Sequence, residues 1–176
     1  IPKHLESIIS KLTEMGVQID EGEDTITVTS SGRLKGAAIT TAVYPGFPTD
    51  MQPQFGVLLC VAQGMSTINE KIWDNRFAYL DELIRMGITV TRSVNTAWFP
   101  GNQKLLGSSV AATDLRGGAA MVIAGLMAEG VTEISNPHYI ARGYDDLIGK
   151  LRLLGAAIDR REVFPESTLV SVNARS

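Results

Sequence analysis

Residues 113–130 read Thr-Asp-Leu-Arg-Gly-Gly-Ala-Ala-Met-Val-Ile-Ala-Gly-Leu-Met-Ala-Glu-Gly, a capping motif followed by an apolar helix that ends at a glycine. Residues 49–64 follow the same plan, from Thr-Asp-Met-Gln to Ala-Gln-Gly. A strand-like segment follows each helix, at residues 67–68 and 131–134. Asp50 and Asp114 are 64 residues apart. Repetition at this period predicts a domain built from copies of one supersecondary unit.

Three other helices share a second pattern, in which apolar residues recur at helical spacing and stop at a glycine. The glycines are Gly16, Gly87 and Gly155, separated by 71 and 68 residues. Each suits a left-handed helix C-cap, and short strand-like stretches follow at residues 17–19, 88–90 and 156–158. The apolar positions expected to pack in the core are Leu5, Ile8, Ile9, Leu12, Met15, Phe77, Leu80, Leu83, Ile84, Tyr144, Leu147, Ile148, Leu151 and Leu154.

Each copy therefore reads as helix, strand, hairpin region, second helix and strand. This order predicts an α+β fold with helices packed against sheets. We expect a partial repeat at residues 1–48, a second repeat at 49–112, and a third repeat with a tail at 113–176. The opening residues 1–4, Ile-Pro-Lys-His, lead directly into a helix without a preceding strand, so we expect the chain to be part of something larger.

The composition excludes several classes of protein. The chain has 44% hydrophobic and 20% charged residues, a net charge of −3 and no basic stripe, so we expect no nucleic-acid partner. It has no apolar run of membrane-spanning length, so we expect no membrane partner. The single cysteine, Cys60, excludes an internal disulfide, fits a reducing cytoplasm and lies in an apolar helix where it would be buried. His4 and His138 lack partners at metal-ligand spacing, and nucleotide-binding motifs are absent, so we expect no metal and no cofactor.

Two aspartates are candidates for chemistry. Thr49 with Gln52 predicts a capping box and Thr113 predicts an N-cap, which places Asp50 and Asp114 in the first turn of each helix. The helix dipole favours a carboxylate there by about 0.3–1 kcal/mol. Such aspartates also occur in proteins without activity, so the pattern alone leaves both interpretations open.

Two arginines are candidates for anion binding. Arg116 faces an unfavourable dipole, which either Asp114 or a bound anion could offset. The glycines at 117 and 118 would let a ligand approach the backbone. Arg142 lies beside a glycine and could be either a solvated turn residue or an anion ligand. The loop at 71–77 carries Trp, Asn and Arg, which fits a ligand wall or a contact with a neighbouring lobe.

Several motifs together resemble a known family. They are residues 44–52 (Tyr-Pro-Gly-Phe-Pro-Thr-Asp-Met-Gln), 74–77 (Asp-Asn-Arg-Phe), 83–87 (Leu-Ile-Arg-Met-Gly), 112–116 (Ala-Thr-Asp-Leu-Arg) and 142–144 (Arg-Gly-Tyr). In order and spacing they resemble the enolpyruvyl transferases, in particular the UDP-N-acetylglucosamine 1-carboxyvinyltransferases. The resemblance covers about residues 1–160.

The resemblance implies an inside-out α/β barrel lobe of βαβαββ-type units with inner helices and outer sheets. It also implies a bacterial cytoplasmic enzyme of peptidoglycan synthesis, important for cell shape and division. Such enzymes transfer the enolpyruvyl group of phosphoenolpyruvate to the 3′-hydroxyl of UDP-N-acetylglucosamine in a cleft between two lobes.

The family's roles carry over to particular residues. Asp50 would touch the sugar hydroxyl and act as the general base, and Asp114 would support the site. The remaining substrate-binding residues would be Ile72, Trp73, Arg76, Arg116 and Arg142.

The sequence also departs from the family pattern. Where the family commonly shows His-x-Asp-Arg-Gly-Tyr, residues 139–144 read Tyr-Ile-Ala-Arg-Gly-Tyr, so Ala141 removes a carboxylate that could orient Arg142. The tail at 161–176 runs past the family's usual end and has no assigned role. The second lobe with its mobile catalytic loop is missing, so we expect the chain alone to be inactive. A 5-enolpyruvylshikimate-3-phosphate synthase-like enzyme and a non-catalytic binding lobe remain alternatives.

Overall fold

The computed structural model describes residues 1–30, 32–163 and 167–173, and the described side chains exclude those of residues 162–163 and 167–168. The helices are α1 (Glu6–Glu14), α2 (Gln52–Val61), α3 (Tyr79–Arg85), α4 (Leu115–Met127), α5 (His138–Ala141) and α6 (Leu147–Leu153). The strands are β1 (Gln18–Glu21), β2 (Ile26–Thr29), β3 (Ala38–Thr40), β4 (Ser66–Asn69), β5 (Thr91–Arg92), β6 (Thr96–Phe99), β7 (Ser109–Ala111), β8 (Val131–Ser135), β9 (Ala157–Val163) and β10 (Ser167–Asn173). Short 3-10 turns at Pro2–Leu5 and Thr49–Met51 precede α1 and α2.

The chain forms two compact units, and the first comprises residues 1–75 and 90–103. Its larger sheet has the strand order β3-β4-β6-β5, in which β3 and β4 are parallel and the other pairs antiparallel. Helix α2 connects the parallel pair and is apolar on nearly every side, so it must be buried on nearly every side. Phe47 packs edge-on against Phe55 with ring centroids 4.8 Å apart, which fixes how the chain enters α2. β1 and β2 form a separate antiparallel hairpin.

The second unit comprises residues 76–89 and 104–176. Its sheet has the order β7-β8-β10-β9, again with one parallel pair, β7 and β8, connected by a buried helix, α4. β10 is antiparallel to both β8 and β9. The predicted tail therefore contributes a central strand of this sheet as far as residue 173. Residues 164–166 and 174–176 of that tail lie outside the described residues.

The two sheets are copies of one plan, as the sequence repetition predicted. The first copy runs β, α, β, α, β, β, and the second follows the same order with the short helix α5 added before α6. Each copy begins with a glycine whose amide donates to a carbonyl just after the first helix of that copy: Gly36 to Gln63 at 2.7 Å and Gly107 to Glu129 at 2.8 Å. The α+β class and the βαβαββ unit are confirmed. Both sheets are open, and the described residues form no closed barrel. The repeat boundaries at residues 49 and 113 stay predictions.

The helix-ending glycines are where the sequence predicted them. Gly16, Gly87 and Gly155 have φ values of +98°, +87° and +92°, a left-handed conformation that a side chain would strain. Two of the strands predicted after them, β1 and β9, are present. The strand expected at residues 88–90 is wrong, because the Ile88 amide bonds the Leu83 carbonyl in the helix exit and β5 begins only at Thr91.

The expectation that all the apolar helix positions pack in the core is also wrong. Neither α1 nor α6 contains a buried residue, and Leu154, directly after α6, is 83% exposed. Helical spacing predicts which side chains share a face, but it does not predict whether another element covers that face. In the described part of the chain, no helix has the length and apolar content that crossing a bilayer requires.

Candidate active site

The turn that precedes α2 presents Asp50 to solvent. Asp50 lies in the 3-10 turn Thr49–Met51, and its side chain is exposed. The predicted capping box is wrong, because no side chain caps the turn at Thr49–Met51 or α2, and the Thr49 hydroxyl donates to Glu70 Oε2 at 2.9 Å. The Gln52 amide is fully buried, and neither its oxygen nor its nitrogen has a hydrogen-bond partner in the described part of the chain.

A buried carboxylate organises this turn. Glu70 follows β4 directly and is 2% exposed. Its Oε1 accepts from the Thr41 hydroxyl at 2.7 Å, the Ile72 amide at 2.9 Å and the Trp73 amide at 3.1 Å, while its Oε2 accepts from Thr49. A carboxylate only accepts, so it matches four converging donors. Two chain segments, the turn at 49–51 and the loop at 71–73, are thereby bonded to one side chain.

The loop that Glu70 holds exposes two apolar side chains. Trp73 is 62% exposed and Ile72 is 41% exposed, although their amides are bonded. The Lys71 amide donates to the Thr41 hydroxyl at 2.8 Å, which adds a further bond to the loop. The result is an apolar surface on a firmly held backbone, bonded to the same carboxylate as the turn that carries Asp50.

Glu70 and Thr41 were missed by the sequence analysis. Neither belongs to a motif that distinguishes a buried polar residue from an exposed one. The position of Glu70 could have indicated it, because Glu70 follows the carboxyl end of a strand in a parallel pair, where sites in open α/β sheets tend to lie.

In the second unit, Asp114 caps α4 itself. Its Oδ1 accepts from the Arg116 amide at 2.8 Å and from the Gly117 amide at 3.2 Å. The predicted N-cap at Thr113 is therefore wrong by one residue, and the Thr113 hydroxyl lies 3.3 Å from Asp114 Oδ2. Asp114 is an N-cap by position and by bonding, and it satisfies the amide of Arg116.

The glycines after Arg116 serve packing rather than ligand approach. A Cβ at Gly118 would lie 2.6 Å from Ile140 Cγ1, and one at Gly117 would collide with the Thr113 hydroxyl. The expectation that these glycines open the backbone to a ligand is therefore wrong, because side chains of the protein occupy that space. α5 packs against the first turns of α4 at this point.

This packing brings Arg142 to the same end of α4 as Arg116. Arg142 is the C-cap of α5 and is exposed, and Gly143 lies so close to Leu115 that a Cβ there would be 2.8 Å from Leu115 Cδ2. Arg116 is half-buried. Arg76 is half-buried too, and it lies three residues before α3 in the second unit.

Cys60 is buried, as predicted. Its thiol donates to the Gly56 carbonyl at 3.2 Å, and burial raises the pKa of Cys60 to about 12. A thiol in this environment is a poor nucleophile. Among the described residues, no group of His, Cys, Asp and Glu side chains could hold a metal ion.

A family model described as EPSP synthase (3-phosphoshikimate 1-carboxyvinyltransferase) matches residues 2–151. A UDP-N-acetylglucosamine 1-carboxyvinyltransferase of Desulfofundulus thermocisternus is 51% identical over 174 residues, which are 99% of this chain and 71% of that protein. The chain belongs to the enolpyruvyl transferase family. Relatives with the same name from Clostridium botulinum and Caldanaerobacter subterraneus are 54% and 56% identical over 91% of this chain. The chain spans 38% of the length of each of those two relatives.

Solved structures of enolpyruvyl transferases have the same fold. The enolpyruvyl transferase NikO from Streptomyces tendae matches 97% of this chain with a TM-score of 0.79 and 29% identity, over 37% of its own length. An EPSP synthase from Acinetobacter baumannii matches 97% of this chain and 39% of its own with a TM-score of 0.68. That second likeness is at 16% identity, so it concerns the fold alone.

Proposed function

We propose that the protein containing this chain transfers the enolpyruvyl group of phosphoenolpyruvate to the 3′-hydroxyl of UDP-N-acetylglucosamine and releases phosphate. The observation that carries the proposal is the exposed carboxylate of Asp50, on a turn bonded to the same buried Glu70 as the apolar pair Ile72 and Trp73. The names of the relatives at 51–56% identity support the choice of substrates. The reaction would be a cytoplasmic step of bacterial peptidoglycan synthesis.

In this proposal Asp50 is the general base. The hydroxyl oxygen of the sugar forms a bond to C2 of the enolpyruvyl group, the bond from C2 to the phosphate oxygen breaks, and the hydroxyl proton goes to the Asp50 carboxylate. An exposed carboxylate on a fixed turn suits that role, because a base must reach the proton it removes. Ile72 and Trp73 would pack against the nucleotide sugar.

Arg116 and Arg142 would bind phosphoenolpyruvate, because guanidinium groups match both phosphate and carboxylate oxygens. Asp114 would support the site by capping α4 with its Oδ1, which makes it a weaker candidate than Asp50 for proton transfer. Arg76 would hold the edge of the cleft. Because the chain spans 38% of two of its longer relatives, we propose that a second lobe supplies a mobile loop and further basic residues.

The test is steady-state phosphate release by the complete gene product with both substrates present. Asp50→Asn keeps the shape and removes the base, so we expect turnover to fall by about 100-fold or more. Binding of UDP-N-acetylglucosamine should stay within about threefold, because the substitution is nearly isosteric. Retained turnover in Asp50→Asn would exclude Asp50 as the base. The chain of residues 1–176 alone should give no turnover above blank.

The alternative substrate is shikimate 3-phosphate, which the description of the family model favours. Thermal unfolding of the complete protein separates the two possibilities. UDP-N-acetylglucosamine should raise the unfolding temperature and shikimate 3-phosphate should leave it unchanged, since only a ligand that binds the native state stabilises it. A non-catalytic binding lobe would show the same thermal shift with no phosphate release.

A further inference from the structure

We propose that Glu70 is a positioning residue, whose buried carboxylate holds the turn of the general base and the nucleotide-contacting loop in one fixed arrangement. The inference deepens the proposed function and rests on it, because it gives Glu70 a task within that site. Glu70 itself is too buried to meet a substrate, so it would act through Thr49 and through the amides of Ile72 and Trp73.

Glu70 depends on its hydrogen bonds, because no basic side chain among the described residues offsets the charge of its carboxylate. Its four hydrogen bonds therefore replace the water lost on burial. Thr41 anchors the carboxylate to the end of β3, since the Thr41 amide bonds the Asn69 carbonyl at 3.0 Å. The carboxylate is therefore fixed to the sheet on one side and to the two site segments on the other.

The second copy of the repeat shows that the fold does not need this carboxylate. There, Asn136 follows β8 as Glu70 follows β4, and Ala112 takes the place of Thr41. The Ala112 amide still bonds the end of β8, to the Ser135 carbonyl at 3.0 Å, so the strand pairing is the same. A βαβ unit with the same register thus forms without the Glu70 bonds.

What differs between the copies is the use of the aspartate. In the second copy Asp114 caps its own helix, whereas in the first copy α2 has no side-chain cap and Asp50 is exposed in the 3-10 turn. The bond from Thr49 to Glu70 fixes the turn that no cap fixes. This leaves the Asp50 carboxylate outside the helix cap while its backbone stays in place.

The first test compares Glu70→Ala with Glu70→Gln in the complete gene product. Glu70→Ala removes every acceptor, and we expect kcat to fall by about 100-fold, the scale of a misplacement near 1 Å, with KM for UDP-N-acetylglucosamine raised about tenfold. Glu70→Gln keeps an oxygen for the Thr41, Ile72 and Trp73 donors, and its amide can donate to the Thr49 hydroxyl. We therefore expect Glu70→Gln to recover both constants to within about fivefold of wild type.

The second test removes one bond at a time. Thr49→Val has nearly the shape of threonine and cuts only the bond to the Asp50 turn, so kcat should fall about tenfold while KM for the nucleotide sugar stays within about twofold. A general loss of structure would not separate the two constants in this way. Thr132→Val is the matched control, a buried threonine on β8 outside the proposed site, and it should leave both constants unchanged.

Amide hydrogen exchange measures whether Glu70 holds the loop at 71–73, and it does not depend on catalytic turnover. In Glu70→Ala the amides of Ile72 and Trp73 lose their acceptor, so their exchange should accelerate at least about tenfold, and Glu70→Gln should restore slow exchange. If Glu70→Ala does not fold, Thr49→Val decides the question: a lower kcat with an unchanged KM supports the proposal, and wild-type constants overturn it. Wild-type constants in Thr49→Val together with unchanged exchange in Glu70→Ala would overturn the proposal. Absence of phosphate release by the wild-type protein would instead overturn the proposed function, while accelerated exchange would still support the arrangement.

Discussion

Cys60 and Asp50 lie at opposite ends of the range of environments around α2. Asp50 is exposed before the helix, and Cys60 is fully buried within it. The burial of Cys60 could be predicted from the sequence, because the helix around it is apolar on nearly every side. The burial and bonding of Glu70 could not be predicted, because they depend on Thr41, on Thr49 and on the loop that follows Glu70. Four donors from three chain segments converge there only after the sheet has formed.

The environment of Cys60 predicts an inert thiol. Only the thiolate reacts rapidly with alkylating reagents, and burial raises the pKa of Cys60 to about 12, so the thiol stays protonated as pH rises through 8 and 9. We expect no labelling of the Cys60 peptide by an alkylating reagent at pH 8 in the native protein, and complete labelling in denaturant. Peptide mass mapping measures this. Labelling at similar rates in both states would contradict the buried position.

At the level of elements, close packing of α4 against α5 brings the two candidate anion-binding arginines to one end of a helix. The sequence indicated Arg116 and Arg142 separately but gave no sign that α5 packs on α4. It also suggested the wrong role for Gly117 and Gly118, because a glycine looks the same whether a ligand or a neighbouring side chain fills the space beside it.

Gly118→Ala tests that packing. Alanine favours a helix over glycine by about 1 kcal/mol. The new Cβ would lie 2.6 Å from Ile140 Cγ1, and overpacking of this kind costs about 1–3 kcal/mol. We expect a net loss of about 1 kcal/mol in the free energy of unfolding, measured by urea denaturation. Adding Ile140→Ala removes the clashing carbon, so the double variant should lose less stability than the sum of the single variants. Full additivity would contradict the contact.

Thr132→Val tests the contribution of a buried hydroxyl on strand β8 to stability. The Thr132 hydroxyl is fully buried in β8 and has no hydrogen-bond partner in the described part of the chain. Replacing it by a methyl group removes an uncompensated polar group and suits a strand, so we expect stability to rise by about 1 kcal/mol. A thermal unfolding midpoint raised by a few degrees would agree, and a lowered midpoint would contradict the absence of a partner.

At the level of the whole molecule, two copies of one fold differ in their polar contacts. The spacing of the repeated motifs and the glycines that end the helices are visible in the sequence itself. These features predicted the repeated unit. The differences between the copies lie at residues 41, 70, 112 and 136, which are outside the motifs that define the repeat. The repeated scaffold could therefore be predicted from the sequence, whereas the contacts of Glu70 could not.

The tail gives the sharpest contrast between pattern and structure. Sequence periodicity placed the apolar residues of the last helix in the core and left residues 161–176 without a role. In the structure Leu153, on α6, is 89% exposed, while Val172 on β10 is fully buried between β8 and β9 and faces Gly125. Val172→Ala should therefore lower the free energy of unfolding by about 2 kcal/mol, because it removes buried methyl groups and leaves a cavity. Leu153→Ala removes more carbon atoms, but from an exposed side chain, and should change stability by less than about 0.5 kcal/mol. Urea denaturation of the two variants under one condition measures the difference, and an equal or reversed order would mean that the tail is not part of the core.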